Sequence, residues 1–95
     1  MDKSFEIEIV TPEQAVYKGT IASVMVPGSD GLFQVLPNHA PIISTLGTGD
    51  IRMGLEDGGE QTYKVAGGVI EVMKNKAIVL VEKILEGEIQ QDEDE

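Results

Sequence analysis

Residues 4–10 read SFEIEIV, and the order of those seven side chains decides the fold class. Phe5, Ile7 and Ile9 fall on one side of an extended chain, Glu6 and Glu8 on the other. That period of two marks a strand with one face buried and one in water. Segments of the same kind recur. "TIASVMVPG" is rich in β-formers and stops at Pro27-Gly28, "LFQVLP" is closed by Pro37, and "IISTL" ends against Gly47 and Gly49. "DIRMGL" and "QTYKVA" flank "EDGG", where Asp57-Gly58 signals a hairpin; "VIEVMK" and "AIVLVEK" flank Asn75 as a second one. "GSDG" is a tight turn. The reading gives eight or more short strands, and no segment before Glu82 sustains a 3.6-residue period. An all-β fold, an antiparallel sandwich or barrel, is expected. The runs "VMV", "IIS" and "IVLV" are apolar in both directions, which predicts strands covered on both sides.

Ninety-five residues make one domain. A chain of this size buries only roughly 60% of its unfolded surface. With aromatics at 4% and no Trp, Val, Ile, Leu and Met must supply the core. There is no Cys, hence no disulfide staple and no thiol chemistry. The net charge of −10 is concentrated at the end: Glu86, Glu88, Asp92, Glu93, Asp94 and Glu95 carry no accompanying base. Without those six, eleven acids face seven bases. This balance argues against a nucleic-acid partner, which requires a basic face, and suits a partner with basic loops. No stretch resembles a signal peptide or approaches the length of a membrane-spanning helix. Any membrane role is expected to run through another protein, without direct insertion. The sandwich is expected to occupy residues 1–86. Residues 87–95 form an acidic tail, too rich in unpaired acids and too interrupted by Gly87 for a stable helix; it is read as disordered or frayed.

Catalytic constellations are missing. One His and no Cys do not make a zinc set. "GSDG" lacks the Gly-Lys-Ser/Thr ending of a phosphate loop, and Glu6 and Glu8 alternate on a solvated strand face. No catalytic, metal or nucleotide residues and no cofactor are assigned, and the chain is not read as an enzyme. The lone histidine, His39, stands in "LPNHAP". Pro37 and Pro41 fix their own φ, remove two backbone donors and push Leu36 and Ala40 toward extended conformations, so the segment is a stiff corner rather than a central strand. Either His39 caps that corner through a side-chain hydrogen bond, or the corner belongs to a docking surface.

"GSDG" followed by "LFQVLPNHAP", then Gly49, "AGGVIEV" and "AIVLVE", resembles the β-sandwich domain of the epsilon subunit of bacterial F-type ATP synthases, from about Phe5 to about Gly87. Its paired signals, P-x-H-A-P and G-G-x-x-E-V, are specific together. The resemblance implies a sandwich of two five-stranded sheets and a non-catalytic rotor subunit of a proton- or ion-translocating synthase. Such a subunit is bound to the gamma subunit, seated on the c-ring, and peripheral on the cytoplasmic face of the bacterial inner membrane. Carried over by position, the gamma interface includes Thr11, Ala40, Ile42 and Ile43, and the c-ring end holds Asp30, Leu32 and His39. Each has a plainer reading. Thr11 is a turn residue before Pro12, and alternation sends at least one of Ile42 and Ile43 into the core. Gly67 and Gly68 provide a bend or close backbone approach. Two departures stand out. The family often has an acidic residue after the turn glycine, where this chain has Leu32, leaving Asp30 as the nearest acid. Typical members also continue into two C-terminal helices, whereas this sequence stops at Glu95 and has no arginine after Arg52 to serve an ATP-binding motif there. The alternative function is a free-standing sandwich that binds a small ligand or regulates a partner.

Overall fold

The alternation of residues 4–10 becomes strand β1 (Phe5–Val10), with Phe5, Ile7 and Ile9 buried. It is followed by β2 (Ala15–Gly28), β3 (Gly31–Val35), β4 (Ile42–Leu55), β5 (Glu60–Met73) and β6 (Lys76–Glu86). The computed structural model describes residues 3–89, and no helix occurs among them. The hydrogen-bonded order is β1-β6-β5-β4-β2-β3, and β1 also pairs with β2, so five strands close a ring with β3 attached to β2. Five of these six pairings are antiparallel; β1 and β6 run parallel, which local alternation does not reveal.

The ring is flattened into two five-stranded sheets that share four strands. The first consists of β1 with residues 15–21 of β2, 42–46 of β4, 69–73 of β5 and 76–80 of β6. The second consists of β3 with residues 23–28 of β2, 48–54 of β4, 60–66 of β5 and 83–86 of β6. Eight or more short strands were expected, and six are present because "IISTL" and "DIRMGL" are one strand, as are "QTYKVA" and "VIEVMK". Glycine here bends a strand from one sheet into the other without ending it. Gly68 has φ 148°, and a Cβ there would strike the Leu80 carbonyl oxygen of β6. The backbone crosses too closely for any side chain.

The predicted hairpins are present. Lys74 (φ 52°) and Asn75 (φ 61°) join β5 to β6 with the two left-handed residues of a type I′ turn. Asp57 accepts from the Gly59 N–H at 2.8 Å in the β4–β5 turn, and Ser29-Asp30 joins β2 to β3.

Val24, Val26, Val35, Ile51 and Met53 from the second sheet meet Ile7, Ile9, Ile70, Val72 and Val79 from the first, and no polar or charged residue among those described is buried with them. Fully burying one such side chain contributes roughly 1.5–3 kcal/mol. Tyr17 and Tyr63 meet edge to face, ring centroids 6.3 Å apart. The Tyr63 hydroxyl donates to the Glu88 carbonyl at 2.6 Å and accepts from Gln61 Nε2 at 3.0 Å. Burial pushes this phenol above its ordinary pKa of 10.0. Gly87 (φ 134°) lies so close over the Tyr63 ring that a Cβ would collide with it. Residues 83–86 complete β6, with Ile84 packed against the core. Gly87, Glu88 and Ile89 are exposed and irregular. The rest of the predicted acidic tail, residues 90–95, lies outside the described residues.

Candidate functional site

Among the described residues no three His, Cys, Asp or Glu side chains converge to hold a metal ion. The informative feature is a surface, the outer face of the first sheet. One row across it reads Ile43, Glu71, Ile78, Glu8, Lys18; the next reads Thr45, Val69, Leu80, Val10, Ala15. Ile43 is 71% exposed and Leu80 52%. A shallow groove of about 390 Å³ runs beside them, lined by Val10, Thr11, Pro12, Val69 and Leu80 among others. At the margin, Lys18 Nζ lies 3.6 Å from Glu8 and Lys76 Nζ 3.9 Å from Glu6. "IVLV" is apolar in both directions, yet only one direction is covered. Ala77, Val79 and Val81 enter the core, while Ile78 and Leu80 face out. The expectation of strands covered on both sides therefore does not hold for this run. An apolar strip of this kind is a candidate docking face.

The structure divides the sequence-derived residues. Thr11 and Ile43 share this face. The Thr11 hydroxyl also caps its own turn, accepting from the Glu13 and Gln14 N–H groups at 3.2 Å each, so the turn-residue reading holds as well. Ile42 points inward and packs against the core, as alternation required of one of the pair. Ala40 is exposed in the corner that leads into β4. Asp30 and Leu32, the latter 69% exposed, sit at the β2–β3 hairpin. His39 lies beyond the other end of β3, so that the strand Gly31–Val35 stands between it and the hairpin.

The corner itself is a type II turn. The His39 N–H donates to the Leu36 carbonyl at 3.1 Å, Pro37 occupies the second position and Asn38 (φ 65°) the third. His39 Nδ1–H donates to the Ala40 carbonyl at 2.7 Å, a local cap as the plainer reading held. The Asn38 N–H donates to Asn75 Oδ1 at 2.7 Å, and Asn75 Nδ2 donates to the Ser4 carbonyl at 3.0 Å. Sequence reasoning missed Val10, Val69, Ile78 and Leu80 as surface residues. The signal was there in the apolar side chains at the outward positions of strands whose inward positions were already apolar.

The profile of the family described as "ATP synthase, Delta/Epsilon chain, beta-sandwich domain" matches residues 4–87. The ATP synthase epsilon chain of Chlorobaculum tepidum is 48% identical over 83 residues, covering 87% of this chain and 94% of that one. That of Chlorobium limicola is 43% identical with the same coverage. The epsilon chain of Leptospira borgpetersenii is longer; at 42% identity the match covers 80% of this chain and 59% of it. In fold, the chain superposes on a component of the Euglena gracilis mitochondrial ATP synthase (OSCP/F1/c-ring) with a TM-score of 0.84. Identity there is 15%, and the match covers 90% of this chain and 54% of that one. A central stalk/c-ring component of the Tetrahymena thermophila mitochondrial enzyme superposes at 0.69 with 13% identity, over 84% of this chain and 64% of that one. A closed β-sandwich whose residues 4–87 match the family profile, with close relatives of nearly its own length, leads to one conclusion: this chain belongs to the ATP synthase delta/epsilon-chain family.

Proposed function

We propose that the chain is a non-catalytic subunit of the central stalk of an F-type ATP synthase, and that the outer face of its first sheet seats the gamma subunit. The observation that carries the docking assignment is the outward strip in which Val10, Val69 and Ile78, each half-buried, lie between the exposed side chains of Ile43 and Leu80. The family supplies the assembly in which such a face finds a partner. Ala40 and Thr11 border the contact. The β2–β3 hairpin with Asp30 and Leu32 is assigned to the c-ring, and His39 stands at the opposite end of β3 as a structural cap. The role is mechanical: a rigid body added between shaft and ring enlarges the contact through which rotation passes. A standard interface buries about 800 Å² per partner. In this reading the protein sits on the cytoplasmic face of the bacterial inner membrane, peripheral through the complex.

Titration of the chain with the cognate gamma subunit tests the assignment. Ile43→Glu changes an exposed residue, so the isolated fold persists, but the complex must then bury an unpaired charge. Binding at wild-type affinity would remove this face from the reading.

A further inference from the structure

We infer that Asn75 is a positioning residue for docking: its side chain holds the Leu36–His39 turn in the pose that presents Ala40 at the margin of the gamma-binding face. The inference rests on the docking reading above. Pro37 and Pro41 carry no N–H, so the backbone donors between them belong to Asn38, His39 and Ala40. The His39 N–H is used inside the turn, on the Leu36 carbonyl. The Asn38 N–H reaches outside it, across 37 residues of sequence, to Asn75 Oδ1. The other end of the same amide donates to the Ser4 carbonyl, 71 residues away, and the Asn75 carbonyl accepts from the Glu6 N–H at 3.3 Å. One side chain thus joins three parts of the chain: the β5–β6 turn, the entry to β1 and the double-proline corner. Asparagine suits the position because it accepts the left-handed backbone of a type I′ turn while its side-chain donor and acceptor face opposite ways. Two residues past Ala40 the chain enters β4, where the register with β5 fixes Ile43 independently. Asn75 therefore acts on the corner and not on the strip.

Two variants separate the pose from the turn. Asn75→Gly keeps the left-handed turn and removes the amide; Asn75→Asp keeps the acceptor for Asn38 and loses the donor to Ser4. In the full chain, Asn75→Gly is expected to raise amide exchange at Asn38 by at least about tenfold. It should also weaken binding of the cognate gamma subunit by about tenfold, the factor set by roughly 1.4 kcal/mol. Asn75→Asp is expected to restore most of both. Unchanged exchange at Asn38 in Asn75→Gly, or raised exchange with unchanged affinity, overturns the inference. Ile43→Glu in the same titration reads the docking assignment separately. If that variant binds like wild type, the docking reading falls and the affinity half of this inference falls with it, while exchange still reports the hold of Asn75 on the turn.

Discussion

The two outer faces of the sandwich share four crossing strands and yet differ in how much apolar surface they carry. On the first sheet the outward positions of β4, β5, β6 and β1 carry Ile43, Val69, Ile78, Leu80 and Val10. On the second, the corresponding rows read Gln34, Met25, Arg52, Thr62 and Asp50, Lys64, Glu86. Both inner faces are apolar because one core demands it. The outer faces are free of that demand, so their difference reports what each side meets beyond the domain. Folding accounts for the inward half of each strand; in the proposed reading a partner accounts for the apolar outward positions of the first sheet.

That contrast depends first on the joint that lets one strand serve both sheets. Gly68→Ala places a Cβ against the Leu80 carbonyl at a positive φ. It should cost about 3 kcal/mol or more of stability, read as a lowered midpoint in urea. A stable alanine variant would mean that the crossing is looser than described. Next is the apolar face itself. Leu80→Glu should leave the thermal midpoint close to wild type and lower affinity for gamma by about a hundredfold, roughly 2.8 kcal/mol. Wild-type affinity would erase the functional difference between the faces.

The core under the second sheet supplies a smaller effect. Tyr63→Phe removes the hydroxyl shared by Gln61 and Glu88 and should cost about 1 kcal/mol. Because the folded-state pKa of Tyr63 is raised, its stabilisation is fully present below the unfolded value of 10.0 and is lost as pH rises through the folded one. The stability gap between wild type and Tyr63→Phe should therefore shrink in alkali, as measured by unfolding at a series of pH values; a constant gap would show that the hydroxyl does not titrate with folding. The smallest effect belongs to the polar face. Thr62→Glu should change stability by less than about 0.5 kcal/mol and leave gamma binding untouched; a clear loss of affinity would extend the docking surface to the second sheet.

Much of this architecture is legible in residue order. SFEIEIV places Phe5, Ile7 and Ile9 inside without ambiguity, and Lys74-Asn75, Asp57-Gly58 and "GSDG" turn where their chemistry demands. Two things are not legible. Gly47 and Gly49 have the local signature of a strand end, since a bend between sheets and a turn out of a sheet begin with the same backbone freedom, whereas Gly67 and Gly68 read as a bend or close approach and are one. The parallel neighbour of β1 is fixed by closure of the whole ring and leaves no trace in either strand alone. At the candidate site, Thr11 and Ile43 were found by position within a resemblance. Leu80 and Ile78 were hidden in a run that alternation assigns to a doubly covered strand. Only the paired register shows that one of its sides has no cover within this domain.

The pairing of β1 with β2, from Phe5 opposite Ile21 to Val10 opposite Ala15, closes the ring of strands. A tube slit along its length twists easily because the two lips slide past each other; a closed tube resists because its wall must shear. Here the lips are β1 and β2, and their ladder of backbone hydrogen bonds blocks the sliding. In the proposed role, between a turning shaft and the membrane ring, a body of this section would rotate as a unit instead of winding up.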